Sequence, residues 1–131
     1  MAERQRVSGI GGYFFRARDP QALAAWYREH LGVPTMAEGE EHVWQQPAGP
    51  TVFSPFAADT DYFGRPDQQV MLNFRVADLD AMLAQLRAGG AAVDDRVELL
   101  EGIGRFGWAT DPEGNRFELW QPAPEALAHG E

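Results

Sequence analysis

The chain of 131 residues contains no cysteine, which excludes a disulfide framework, a zinc ribbon and a thiol nucleophile. Cationic residues are scarce: lysine plus arginine total 11 against 20 acidic residues, so the formal net charge is −9 at pH 7. This charge disfavours nucleic acid as a partner, because nucleic acid needs a basic face. No stretch approaches the ~20 apolar residues of a membrane span, and the opening MAERQRV is not typical of a signal peptide. We therefore expect a cytoplasmic protein that binds neither nucleic acid nor membrane.

The first half of the chain is typical of one strand–helix unit followed by short strands. The apolar and aromatic segment 10–17 predicts a strand. Asp19 and Pro20 then form a helix-start signal, and the helix is expected to end at Leu31 before Gly32. Three shorter strands are predicted at residues 33–37, 41–46 and 51–56.

The second half shows the same order of elements. A strand is predicted at 70–76, and Asp78 is the expected N-cap of a helix over 79–88 that ends at two glycines. Strands are predicted at residues 92–99, 104–110 and 115–121, and the last two flank a DPEG turn. The tail, 123–131, is weakly helical in pattern.

Residue identities support an internal duplication with an offset of 59 positions. Over fourteen aligned positions six residues are identical, namely Phe15/Phe74, Arg16/Arg75, Asp19/Asp78, Ala22/Ala81, Ala25/Ala84 and Arg28/Arg87. We therefore predict one domain over 1–131, built from a module at 8–57, a linker at 58–68, a module at 69–122 and the tail. Neither module can bury an apolar sheet face alone, so the two sheets are expected to curve around a shared cleft that suits a ligand.

Three segments carry a family resemblance and together span about residues 9–122: GGYFFRARDP with AWYREHLGV, MLNFRVADLDAMLAQL, and GRFGWATDPEGNRFELWQP. They resemble the vicinal oxygen chelate superfamily, which includes glyoxalase I, extradiol dioxygenases and bleomycin-binding proteins. The chain is most similar to its small bacterial glyoxalase/bleomycin-resistance-like branch. The resemblance implies an α+β fold of two βαβββ modules, with curved mixed sheets around a cleft, and a homodimer.

The resemblance also locates the metal ligands of the metal-dependent members. Those proteins use a His or Gln near the start of each module's first strand, and a Glu or His in each last strand. The matching positions here are Gly12, Met71, Phe53 or Ser54, and Glu118, so one ligand of the set remains. A catalytic transition metal normally takes three protein ligands. We therefore predict neither a metal nor another cofactor, although His42 is a further candidate donor.

Strand alternation predicts which side chains face the cleft. From the first strands these are Gly12, Phe14, Arg16, Met71, Asn73 and Arg75, and from the last strand Arg116, Glu118 and Trp120. The expected ligand-binding residues are Phe14, Arg16, Trp44, Phe53, Met71, Asn73, Arg75, Trp108 and Trp120. The pattern leaves the facing of Trp108 open, since the DPEG turn permits two registers. Arg16 and Arg75 have a structural alternative, which is pairing with a carboxylate such as Glu118.

Three functions fit these residues. The first is binding of a small organic molecule, in particular sequestration of a cationic or aromatic compound, without the metal of the superfamily. The second is a lyase, isomerase or dioxygenase-type enzyme that uses Glu118 as general base or metal ligand. In the third, the cleft is filled by the protein's own side chains and the domain serves as an interaction module.

Overall fold

The computed structural model describes residues 4–36 and 43–128. In these ranges the helices are α1 (Pro20–Leu31), α2 (Leu79–Ala88) and α3 (Pro124–Ala128). The strands are β1 (Asn73–Arg75), β2 (Ala92–Val93), β3 (Glu98–Leu100), β4 (Gly104–Thr110) and β5 (Arg116–Pro122). Of the helices in these ranges, none has both the length and the apolar character needed to cross a bilayer.

The two long helices begin and end where the sequence predicts. Each starts after an aspartate whose Oδ1 accepts a hydrogen bond from a backbone amide three residues on, at 3.1 Å from Ala22 to Asp19 and 3.0 Å from Ala81 to Asp78. These bonds satisfy amides that have no partner within the helix. Gly32 follows α1 with φ 70°, a left-handed conformation that costs glycine least.

The strands form one open mixed sheet in the order β1-β5-β4-β2, and β3 also pairs with β4. The central pair, β4 and β5, is antiparallel, whereas β1 runs parallel to β5. The register places the Cα of Glu118 opposite both Asn73 of β1 and Trp108 of β4. The three side chains therefore lie side by side on one face of the sheet, with Glu118 in the middle.

The core lies on the opposite face, under both long helices. Leu23 and Tyr27 of α1 pack with the three buried leucines of α2 against the sheet residues Ala109, Phe117 and Leu119. A Cβ on Gly107 would lie 3.1 Å from Leu83, so this glycine lets α2 approach the sheet closely. Leu72, Phe74 and Val76 also contact this core, as the alternation predicts.

The first module does not form the strands that the sequence predicts. Residues 10–17 and 51–56 form no hydrogen-bonded strand, and the same holds for the described parts of 33–37 and 41–46. A strand needs a partner for its amides and carbonyls, and within the described residues these segments are not hydrogen-bonded to the sheet as strands. Residues 37–42, with His42, lie outside the described residues. In the second module the strand expected at 92–99 is divided into β2 and β3, and that expected at 70–76 is shortened to β1.

The DPEGN turn between β4 and β5 connects the two halves of the chain. Asp111, which is 4% exposed, accepts the Tyr27 hydroxyl at 2.6 Å and the Asn115 side-chain amide at 2.8 Å. Its other oxygen accepts the backbone amides of Glu113 and Asn115. The Glu113 carboxylate in turn accepts the amides of Arg18 and Asp19 just before α1, and these hydrogen bonds lower its pKa. The turn therefore fixes α1 to the sheet.

Replacing Asp111 is expected to destabilise the fold strongly. Asp111→Ala removes four hydrogen bonds and leaves the Tyr27 hydroxyl buried without its acceptor. We expect a loss of about 3 kcal/mol in the free energy of unfolding, measured by urea denaturation. The exposed linker aspartate Asp59 provides the control, and Asp59→Ala is expected to change stability by less than about 0.5 kcal/mol. Similar small losses for both variants would contradict the role given to Asp111.

Candidate functional site

The alternation of β5 brings a carboxylate to the open face of the sheet. Phe117 and Leu119 point into the core, so Glu118 between them points away from it. The register settles the facing of Trp108, which sequence analysis left open: it lies on the same face, directly across from Glu118. Asn73 lies on the other side of Glu118, at the edge strand β1.

Glu118 accepts three side-chain hydrogen bonds from three separate parts of the chain. Asn73 donates its amide to Oε1 at 2.7 Å. Trp108 donates its indole Nε1–H to Oε2 at 3.1 Å, and the Tyr62 hydroxyl donates to the same oxygen. We call Glu118, Asn73, Trp108 and Tyr62 the Glu118 cluster. Its hydrogen bonds hold the carboxylate in one orientation at the centre of the open face.

Tyr62 comes from the linker and is held there by aromatic contacts. Its ring stacks on Phe56, with centroids 5.6 Å apart and planes 11° apart, and Phe56 also contacts Phe63. The Arg116 Nε donates to the Tyr62 carbonyl at 3.2 Å. The linker therefore lies across the open face and brings aromatic surface beside the carboxylate.

The surroundings of Tyr62 keep its hydroxyl protonated. Burial raises its pKa to about 12, and the hydrogen bond to the Glu118 carboxylate acts in the same direction. Both effects disfavour a tyrosinate, the first through loss of hydration and the second through repulsion between like charges. Tyr62 consequently remains a hydrogen-bond donor to Glu118 at neutral pH.

Trp108 lies beneath two arginines instead of presenting its ring to a ligand. The side chain is fully buried, and the guanidinium carbons of Arg96 and Arg116 lie 4.8 and 5.5 Å from its ring centroid. Arg116 is fixed by a 2.8 Å ion pair with Asp94. In this arrangement Trp108 reaches the cleft through its indole N–H.

The two duplicated arginines lie in different surroundings. The Arg75 guanidinium packs against Gly49 so closely that a Cβ on this glycine would clash with it. Arg75 also donates a hydrogen bond to the Pro47 carbonyl at 3.2 Å. Arg16 lines a separate cavity beside the DPEGN turn. Neither pairs with Glu118, whose described partners are the other members of the Glu118 cluster.

The other expected ligand-binding residues are dispersed. Phe14 and Phe53 are 93% and 86% exposed, and in the described ranges no ring contact joins them or the half-exposed Trp44 to the Glu118 cluster. Met71 is partly buried at the start of the second module. Trp120 is buried, stacks on Phe106 and donates to the Ile103 carbonyl at 2.9 Å, so it packs one end of the sheet.

The residues at the superfamily's metal positions do not suit a metal ion. Gly12 has no side-chain donor, Met71 offers a soft thioether and Phe53 offers none. Both oxygens of Glu118 already accept hydrogen bonds. Within residues 4–36 and 43–128, no three His, Cys, Asp or Glu side chains are grouped so that they could hold a metal.

The ligand-binding residues expected from the sequence do not include Tyr62, Arg96 or Arg116, although alternation places Arg116 on the cleft-facing side of its strand. Tyr62 lies 56 residues before Glu118, in a polar linker that carries no strand or helix pattern. The available signal was the aromatic pair Tyr62 and Phe63 within that linker, which indicated contact with the body of the protein. Nothing in the sequence indicated that the contact is with Glu118.

Comparison with known proteins identifies the fold. The sequence model of the glyoxalase-like domain family matches residues 13–120 of this chain. Among solved structures, TnmS3, an antibiotic binding protein from Streptomyces sp. CB03234, shares 24% identity with a TM-score of 0.58, over 92% of this chain and 100% of that one. A member of the glyoxalase/bleomycin resistance protein/dioxygenase superfamily from Sphaerobacter thermophilus DSM 20745 shares 16% identity with a TM-score of 0.54. This match covers 88% of this chain and 98% of that one. A lactoylglutathione lyase from Agrobacterium tumefaciens shares 18% identity with a TM-score of 0.52. The match covers 89% of this chain and 96% of that one. No curated protein matches the sequence significantly.

The Glu118–Tyr62 contact predicts a specific shift in tyrosine ionisation. In Glu118→Gln the negative charge is lost, so the Tyr62 pKa is expected to fall from about 12 toward its ordinary value of 10.0. Ultraviolet absorbance of tyrosinate after rapid pH jumps measures this shift, and Tyr62→Phe identifies the signal of Tyr62. In the wild type, stabilisation from the neutral hydroxyl is complete below pH 10 and is lost as the pH rises toward 12. An unchanged Tyr62 midpoint in Glu118→Gln would contradict the contact.

Proposed function

Because the chain belongs to the glyoxalase-like domain family, within the vicinal oxygen chelate superfamily, we propose that its open sheet face binds a small organic molecule without a metal. The observation that carries this proposal is the Glu118 cluster. A carboxylate that is oriented by three donors can anchor a ligand, whereas a ligand set reduced to one carboxylate would hold a metal weakly.

The chemistry of this face favours a cationic or aromatic ligand. Glu118 supplies negative charge, and the stacked rings of Phe56 and Tyr62 supply flat apolar surface next to it. Phe56 is 50% exposed, so a ligand ring can reach it. The net charge of −9 also attracts cations from solution. An antibiotic binding protein has this fold, which is therefore compatible with sequestration of an organic compound.

The competing enzymatic function relies on Glu118 as a general base in a lyase or isomerase reaction. Its Oε2 already accepts from Tyr62 and Trp108, so proton abstraction at that oxygen requires both donors to be displaced. Oε1, which accepts from the exposed Asn73, is the more accessible oxygen for such a role. The hydrogen bonds therefore favour an anchoring role over proton transfer.

We further propose that the protein is a cytoplasmic homodimer. The absence of cysteine suits a reducing compartment. Large apolar side chains are exposed along the segments that form no strands, including Val7 at 90%, Phe14 at 93% and Phe53 at 86%. A second copy of the chain that paired with these segments would cover them and complete the first module's sheet.

Ligand binding is testable by tryptophan fluorescence, since the indole of Trp108 is part of the cluster. We expect saturable binding within a panel of aromatic compounds supplied as matched cationic and neutral pairs, with the cationic member bound more tightly. Glu118→Gln should weaken binding of the cationic compound roughly tenfold or more and that of its neutral partner much less. Phe56→Ala should weaken both.

The matched control is Glu125→Gln, which removes the same charge at an exposed position of α3. Equal weakening by Glu125→Gln and Glu118→Gln would show that net charge alone attracts the ligand, and this would contradict anchoring by Glu118. Absence of saturable binding across the panel would contradict the proposed ligand class. Turnover of a bound compound that is abolished by Glu118→Gln would favour the enzymatic alternative.

A further inference from the structure

An open depression of about 340 Å³, called the cavity below, lies where the linker meets the DPEGN turn. Three arginines line it, Arg16 and Arg18 from the segment before α1 and Arg65 from the linker. Its other polar lining consists of Asp67, Glu113 and Asn115. The depression is open to solvent, so it can hold one polar group of a ligand at the surface, and its lining includes no residue of the Glu118 cluster.

The two carboxylates of this cavity are already engaged. Asp67 forms an ion pair with Arg65, with 3.2 Å between Oδ1 and Nε. Glu113 accepts the backbone amides of Arg18 and Asp19 at 2.6 and 2.9 Å. Arg65 also donates from Nη1 to the Glu113 carbonyl at 3.2 Å. Both carboxylates of the cavity therefore already have partners within the protein.

The guanidinium groups of Arg16 and Arg18, in contrast, make no hydrogen bond or ion pair with any described residue. At longer range the charge of Arg18 contributes to the lowered pKa of Glu113. Both arginines are exposed to solvent at the cavity. Three guanidinium groups against two carboxylates leave a positive excess in a protein whose net charge is −9. Such a protein repels anions in general, so anion binding would require a local cluster of this kind.

We propose that this cavity binds the oxyanion group of a small molecule, a carboxylate or a phosphate, through Arg16 and Arg18 with support from Arg65. A guanidinium presents its N–H groups as a planar fork that matches either oxyanion by paired hydrogen bonds. The Asn115 side chain is also at the cavity, with its amide already donated to Asp111. The site is separate from the open sheet face and does not depend on the function proposed for that face.

Calorimetric titration with inorganic phosphate and with citrate, at constant ionic strength, tests the proposal. We expect the wild type to bind at least one of the two saturably, and the tighter of them identifies the oxyanion class. Arg16→Gln and Arg18→Gln should each weaken binding roughly tenfold, and the double variant should abolish it. Asp67→Asn should tighten binding severalfold, because it removes a negative charge from the cavity and frees Arg65 from its ion pair with Asp67.

Arg6→Gln serves as the matched control, since Arg6 is exposed and does not line the cavity. It carries the same charge change and should leave the affinity within about twofold. Equal weakening by Arg6→Gln and Arg16→Gln, or equal binding by the wild type and the double variant, would overturn the proposal. So would a lack of saturation with both anions below about 10 mM. Unfolding midpoints of all variants, expected to equal that of the wild type, verify that the fold is intact.

Discussion

A partly buried carboxylate on the open face of the sheet is the constraint around which this protein is organised. Glu118 stands between two core residues of β5, so its side chain must emerge on the open face. A partly buried carboxylate is costly unless donors surround it. The chain provides donors from β1, β4 and the linker, and these hydrogen bonds fix the linker across the sheet.

The metal-free site that we propose differs from the site of the metal-dependent members of the superfamily. The resemblance implies that those members place histidine or glutamine beside this carboxylate, at positions that match Gly12 and Met71 here. In this protein the Glu118 carboxylate accepts hydrogen bonds from Tyr62, Trp108 and Asn73. A fold shared with lyases can thereby present a fixed carboxylate beside aromatic rings, an arrangement suited to binding.

The sequence predicted the features that depend on local chemistry. The helix bounds followed from Asp19, Asp78 and Gly32, because capping involves residues at most a few positions apart. Alternation correctly placed Phe117 and Leu119 in the core. The resemblance to the vicinal oxygen chelate superfamily is confirmed by the family match.

Features that depend on distant partners were not predictable from pattern. Strands at 10–17 and 51–56 fit the composition, but a strand also requires a hydrogen-bonded neighbour, and within the described residues these segments have none. The contact of Tyr62 with Glu118 joins residues 56 positions apart through a linker without periodicity. Likewise, Arg16 and Arg75 are equivalent in the duplication but lie in different surroundings, because the two modules differ in the strands that they form.

The central claim is that Glu118 is a hydrogen-bonded anchor and not a metal ligand. Calorimetric titration of the purified, metal-stripped protein with Ni²⁺, Zn²⁺, Mn²⁺ and Fe²⁺ tests it most directly. The account predicts no stoichiometric binding of any of the four ions and the same titration curves for Glu118→Gln. Stoichiometric binding by the wild type that is lost in Glu118→Gln would contradict the account, because it would show that the carboxylate leaves its three donors to coordinate a metal.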